Sequence, residues 1–165
     1  MTGRILIGIS ACLAGEHTRY DGGHKLDRQL VATLTPRFKL LPVCPEVECG
    51  LSVPREPMHL AGDPAAPRLV TNETGQDLTG QMSDWCRRKV IELEQAQIAG
   101  FILKRNSPSC GLAGVPVYNS SAVGQGLFAA ALSEHFPHLP MEEAERLTDP
   151  ALLETFIQRL LAIRR

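Results

Sequence analysis

Three short apolar runs, far apart in the sequence, each lead to a cysteine set beside a proline, a glycine or a tight loop. Residues 4–10 (RILIGIS) lead to Cys12, residues 38–43 (FKLLPV) to Cys44, and residues 100–103 (GFIL) to Cys110 within Ser107-Pro108-Ser109-Cys110-Gly111. Runs this short and this rich in Ile, Leu and Val read as buried strands. Between them, Leu26, Leu30, Val31 and Leu34 recur at helical spacing, and so do Met82, Trp85, Cys86, Val90 and Leu93. Strands alternating with helices predict an α/β chain: a single Rossmann-like, three-layer domain over residues 1–165, with a mostly parallel sheet and helices on both faces. Parallel strands end on one edge of their sheet, and ligands bind at that edge. The three cysteines are therefore expected to converge there.

The remaining segments follow from local signals. Residues 16–24 read as a polar loop. The proline-rich stretch 48–67 reads as an ordered excursion over the sheet face, without periodicity. A strand is expected at 68–71, with 75–78 as its hairpin partner. The longest helix should open at Thr79 and run to about residue 99, stopped by Gly100. Residues 111–124 read as loop, 127–136 as a packed helix and 137–140 as a last short strand. Two helices should close the chain, at 141–147 and 149–165, the second with Asp149 as N-cap and Pro150 in first position. No G-x-G-x-x-G follows the first strand and no P-loop motif occurs, so a dinucleotide or P-loop site is unsupported.

Charge and redox setting narrow the chemistry. A net charge of -1 gives no basic footprint for nucleic acid. No apolar run approaches the roughly 20 residues that span a bilayer, and the N-terminus lacks the form of a signal peptide. A cytoplasmic protein without membrane contact is expected. Thiols stay reduced there, so five cysteines call for an explanation other than disulfides. Cys86 falls on the apolar face of a helix and reads as packing, and Cys49 reads as a loop or packing residue. Cys12, Cys44 and Cys110 read as ligands of a soft metal centre, either zinc or an iron–sulfur cluster. Glu46, two residues beyond Cys44, suits general acid–base work, with an ion pair to Arg55 or Arg19 as the equal alternative. Ser107 and Ser109 suit hydrogen bonding to a substrate or cluster, or a local turn. His17, His24 and His59 read as solvated or structural. Arg19 and Tyr20 suit a pocket wall, and Lys104, Arg105 and Arg68 a phosphate contact, with plain surface roles equally open.

Taken together these stretches resemble the thiouracil desulfidases, a bacterial family long catalogued as a domain of unknown function. The likeness is carried by Ser10-Ala11-Cys12-Leu13-Ala14-Gly15 with Arg19-Tyr20-Asp21-Gly22, by Cys44-Pro45-Glu46-Val47 with Gly50-Leu51 and Pro54-Arg55-Glu56-Pro57, and by Leu103-Lys104 with Ser107-Pro108-Ser109-Cys110-Gly111. The resemblance implies a [4Fe-4S] cluster with three protein ligands, Cys12, Cys44 and Cys110, and one open iron. It implies non-redox removal of sulfur from a thiolated pyrimidine (2- or 4-thiouracil, or a 4-thiouridine nucleotide), giving the uracil form and hydrosulfide. Glu46 falls on the family's acidic catalytic residue. The catalytic serine lies in the Ser-Pro-Ser-Cys motif, Ser107 first and Ser109 second. Longer relatives that act on transfer RNA carry an added domain; a small molecule is therefore the expected partner of this chain. The alternative is a metal or cluster binding protein with a sensing or sulfur-carrying role and no turnover. A metal-free Cys110 nucleophile ranks last, because no histidine partner is evident.

Overall fold

The computed structural model describes residues 4–163. Strand β1 (Ile5–Ser10) runs into a 3-10 turn at Ala11–Ala14, followed by helix α1 (Arg28–Leu34), strand β2 (Phe38–Val43) and the one-turn helix α2 (Pro45–Glu48). Strands β3 (Met58–Ala61) and β4 (Arg68–Thr71) precede the long helix α3 (Thr79–Gln95), which leads into β5 (Phe101–Leu103). Strands β6 (Val115–Tyr118) and β7 (Val123–Gly124), helix α4 (Leu127–His135), strand β8 (Met141–Glu143), a 3-10 turn at Ala144–Thr148 and helix α5 (Pro150–Ile163) complete the order.

The main sheet has the order β2-β1-β5-β8 and is parallel throughout. Alternate side chains of its strands enter two separate cores. Ile7, Ile9 and Ile102 pack with Leu30 and Leu34 of α1 and with Phe156 and Leu160 of α5. Phe101 and Leu103 pack on the other face, with Trp85 and Leu93 of α3 and Phe128 of α4. This is the α/β, Rossmann-like three-layer arrangement that the alternation of elements predicts. Phe101 crosses β1 because Gly8 lies beneath it: a Cβ at Gly8 would meet the Phe101 ring at 2.2 Å. A second sheet, β4-β3-β6-β7, adds Leu60, Leu69, Val115 and Val117 to the α3/α4 core.

That second sheet is the main departure from expectation. The strand at 68–71 forms, but its partner is β3, inside the proline-rich stretch; residues 75–78 supply only an isolated bridge, Val70 to Asp77. Pairing across the sheet buries Leu60 and Leu69, which no local period announces. Residues 111–124 likewise contain β6 and β7. The final strand of the main sheet lies at 141–143, where a helix is expected, and not at 137–140. Its Met-Glu-Glu sequence favours helix locally, yet pairing with β5 prevails, and the charges suit a sheet edge. Helix α3 ends earlier than expected. Ala96 caps it, and Gln97 turns the chain through the left-handed region at φ 59. Asp149 accepts from the Ala151 amide at 2.9 Å, as an N-cap should. Among the described residues no helix is long and apolar enough to cross a membrane.

Candidate active site

Strand register brings the site together. Ser10 pairs with Val43 across β1 and β2, so both strands leave the sheet side by side, shortly before Cys12 and Cys44. Ile102 of β5 pairs with Ile9 of β1, and the chain beyond β5 reaches the same edge. Cys12, Cys44 and Cys110 line one cavity of about 340 Å³, together with Glu46 and Ser107. That volume lies at the lower end of the range for small-molecule sites, about 300–1,000 Å³. Arg19, Tyr20, Lys104 and Arg105 also line it; Arg68 does not, and pairs with Asp77 at 3.9 Å.

Each cysteine is held by backbone structure. Cys12 lies in the 3-10 turn, and its carbonyl accepts from the Lys25 amide at 2.9 Å. Cys44 is the N-cap of α2, with its own amide bonded to Glu48 Oε2 at 3.2 Å. Lys89 of α3, 8% exposed, bonds Glu48 Oε1 at 3.0 Å and so ties α2 to the long helix. Neither Lys89 nor Glu48 stands out in the sequence; a lysine on the apolar face of α3 is the only signal. Cys110 is 5% exposed, within a turn closed by Gly111 N–H to the Ser107 carbonyl at 2.9 Å. The start of α4 clasps this turn. The amides of Phe128 and Ala129 both donate to the Ser109 carbonyl, at 2.9 and 3.1 Å. Gly126 makes that approach possible, since a Cβ there would lie 2.4 Å from the Ser109 carbonyl carbon.

The two serines divide their tasks. Ser107 Oγ accepts from the amides of Ser109 and Cys110, at 3.1 and 3.0 Å. Its acceptor capacity is used, and its proton remains to be donated into the cavity it lines. Ser109, 1% exposed, donates its proton to Glu46 Oε2 at 2.9 Å. The other carboxylate oxygen, Oε1, accepts from Arg55 Nε at 2.9 Å and Nη2 at 2.6 Å. The ion pair with Arg55 and the placement of Glu46 at the cavity are thus both present, rather than alternatives.

All three cavity thiols are pushed above the usual cysteine value. For Cys12 burial is the main cause, followed by the nearby Cys44, while Lys104 works in the opposite sense. Burial dominates at Cys44 too, with the Val47 amide working against it. At Cys110 burial raises the thiol furthest, against a hydrogen bond with Ser10. A free thiol so raised is a poor nucleophile, whereas coordination to a metal removes its proton outright. The donor set is three reduced soft sulfurs around one cavity. Among the described residues no three ligand-type side chains close on a point that one ion could occupy. Three soft thiolate donors on one cavity are a donor set that suits an iron–sulfur cluster. Cys49 and Cys86 stand apart from the cavity. Cys49 lies within hydrogen-bond reach of the Glu46 carbonyl, 3.3 Å, and packs on the core; Cys86 is 4% exposed, with its thiol pushed up to about 12 by burial. His17 contacts the Gly22 carbonyl, His24 accepts from the Leu26 amide, and His59 stacks on Tyr118; none lines the cavity.

The 2-thiouracil desulfurase family model matches residues 7–144, a span that includes every residue of this cavity wall named above. The chain belongs to the 2-thiouracil desulfurase family. Membership makes this chain an enzyme of carbon–sulfur bond cleavage. It is similar to the uncharacterized protein YbbK of Bacillus subtilis (strain 168), 30% identical over 139 residues, which cover 78% of this chain and 90% of the relative. In structure it is similar to the [4Fe-4S]-dependent thiouracil desulfidase TudS, with a TM-score of 0.70 and 30% identity over 93% of this chain and 99% of that one.

Proposed function

We propose that this chain, read as one desulfidase domain over residues 1–165, hydrolyses the thiocarbonyl of a thiolated pyrimidine without net redox change. Water supplies the oxygen of the product carbonyl, sulfur leaves as hydrosulfide, and no electron is exchanged. The observation that carries this reading is the convergence of Cys12, Cys44 and Cys110 on one cavity whose wall also holds Glu46 and Ser107. Cys12, Cys44 and Cys110 would hold a [4Fe-4S] cluster with one iron free of protein ligands. When bound, the cluster supplies a soft Lewis acid matched to a thiocarbonyl sulfur.

The chain's own groups account for the remaining work. Glu46, fixed on both oxygens, takes a proton from the attacking water. Ser107 donates its free hydroxyl proton to the ring or to the negative charge that develops on it. Tyr20 and Met58 line the cavity as apolar walls for a flat ring. Lys104, held by Glu145 at 2.7 Å, and Arg105 line the same cavity and would serve as cationic contacts for an anionic substituent of the pyrimidine. Thiouracils and 4-thiouridine nucleotides are the substrates to test, and the expected setting is the cytoplasm.

The deciding experiment is purification without oxygen, followed by visible spectroscopy, iron and acid-labile sulfide analysis, and an assay of sulfide release from 2-thiouracil, 4-thiouracil and 4-thiouridine monophosphate. About four irons per chain with broad absorbance near about 400 nm, together with sulfide release from one of these, is expected. A colourless protein that binds only zinc would sink the cluster reading.

A further inference from the structure

We propose that Arg55 is the positioning residue of the site: it orients the Glu46 carboxylate so that one lone pair alone faces the cavity. The inference rests on Glu46 being the base of the reaction. Arg55 lies on no strand or helix. Its backbone amide is pinned to the Tyr20 carbonyl at 2.8 Å, and its side chain is 8% exposed. Of the five N–H groups of a guanidinium, four find acceptors here. Nε and Nη2 both bond Glu46 Oε1; Nη2 also bonds the Thr18 carbonyl at 2.7 Å, and Nη1 the Ser52 carbonyl at 3.1 Å. The two carbonyls fix the plane of the guanidinium, and that plane fixes Oε1.

A carboxylate has about four acceptor positions, two on each oxygen. Arg55 fills both on Oε1, and Ser109 fills one on Oε2. The single position left is on Oε2, in a group that lines the cavity. On this reading, water entering the cavity meets a Glu46 carboxylate with one acceptor position left to take its proton. Freeing Oε1 would let the carboxylate rotate, and a displacement of about 1 Å in a catalytic group can cost about 10²-fold in rate. Lysine at this position could keep the charge but not a planar fork with four fixed bonds.

The test compares kcat and KM for sulfide release from 2-thiouracil in the iron-loaded wild type, Arg55→Gln, Arg55→Lys, Glu46→Gln and the Arg55→Gln/Glu46→Gln double variant. Iron content and melting temperature are measured alongside. Arg55→Gln should lose about 10²-fold in kcat, with KM within about threefold and iron content unchanged. Arg55→Lys should recover only part of that loss. In the Glu46→Gln background, Arg55→Gln should cost nothing more, because the group it orients is gone. A normal kcat in Arg55→Gln beside an inactive Glu46→Gln overturns this proposal alone. An active Glu46→Gln overturns the assignment of the base and the positioning role with it. A rise in KM at constant kcat, additive losses in the double variant, or loss of iron from both Arg55 variants would each make Arg55 a binding or scaffold residue and overturn the proposal.

Discussion

Ser107 and Ser109 are two residues apart and chemically identical, yet their surroundings separate them. The Ser107 hydroxyl is an acceptor twice over and keeps one proton to give; the Ser109 proton is already given to Glu46. Ser107→Ala should therefore lower kcat by about 10²–10³-fold, the loss typical of a donor to developing charge. It also strands two part-buried amides and should destabilise the fold by about 1–3 kcal/mol. Ser109→Ala should cost less in rate, on the order of tenfold, since Arg55 still holds the carboxylate. Steady-state kinetics and urea unfolding of both variants check this; a larger rate loss in Ser109→Ala would move the donor role to Ser109.

At the scale of elements, two local features make measurable demands. Helix α3 ends with exposed Gln97 at φ 59, a conformation in which glycine carries no side-chain penalty. Gln97→Gly should raise stability by about 0.5–1 kcal/mol, read as a higher urea midpoint at unchanged slope. Glu56 holds the turn after β4. Its Oε2 accepts from the amides of Glu73 and Thr74, each at 2.5 Å, and its Oε1 from the Thr74 hydroxyl at 2.8 Å. These bonds, the Thr74 hydroxyl first, hold its carboxyl below the usual range. Since the folded value is the lower one, the fold favours the charged form. The stabilisation is present above the unfolded value of about 4.3 and is lost as pH falls through the folded value. Glu56→Gln should melt below the wild type at neutral pH, and the gap should close below about pH 4. A gap independent of pH would show that the charge is not what holds the turn.

For the whole molecule, the decisive property is that three thiols distant in sequence meet at one sheet edge while two others do not. Cys12→Ala, Cys44→Ala or Cys110→Ala should each abolish stoichiometric iron binding in protein purified without oxygen. Cys49→Ala and Cys86→Ala should retain it, because neither thiol lines the cavity. Iron analysis of the five variants is sufficient; iron loss in Cys49→Ala with retention in Cys44→Ala would reassign the second ligand. Melting temperatures taken on the same samples separate loss of iron from loss of fold.

The strands at 38–43, 68–71 and 101–103, the apolar face of α3 and the alternation of strand and helix were legible in the sequence because each is a local pattern. The two strands that precede Cys12 and Cys44 read as short apolar runs, and the residues matching a known family lie where those runs end. Strands β3, β6, β7 and β8 were not legible. Their stability comes from partners far along the chain, and Pro, Gly and Glu mask any period of two. Nor did the sequence distinguish an ion pair at Glu46 from a place at the cavity, or the task of Ser107 from that of Ser109. A side chain's hydrogen-bond partners depend on register and on which loops share an edge. Residue type and local order determined the helices, the strands leading to the cysteines and the candidate ligands; long-range pairing decided the remaining strands and that Arg55, Glu46 and Ser109 form one connected chain beside three thiols.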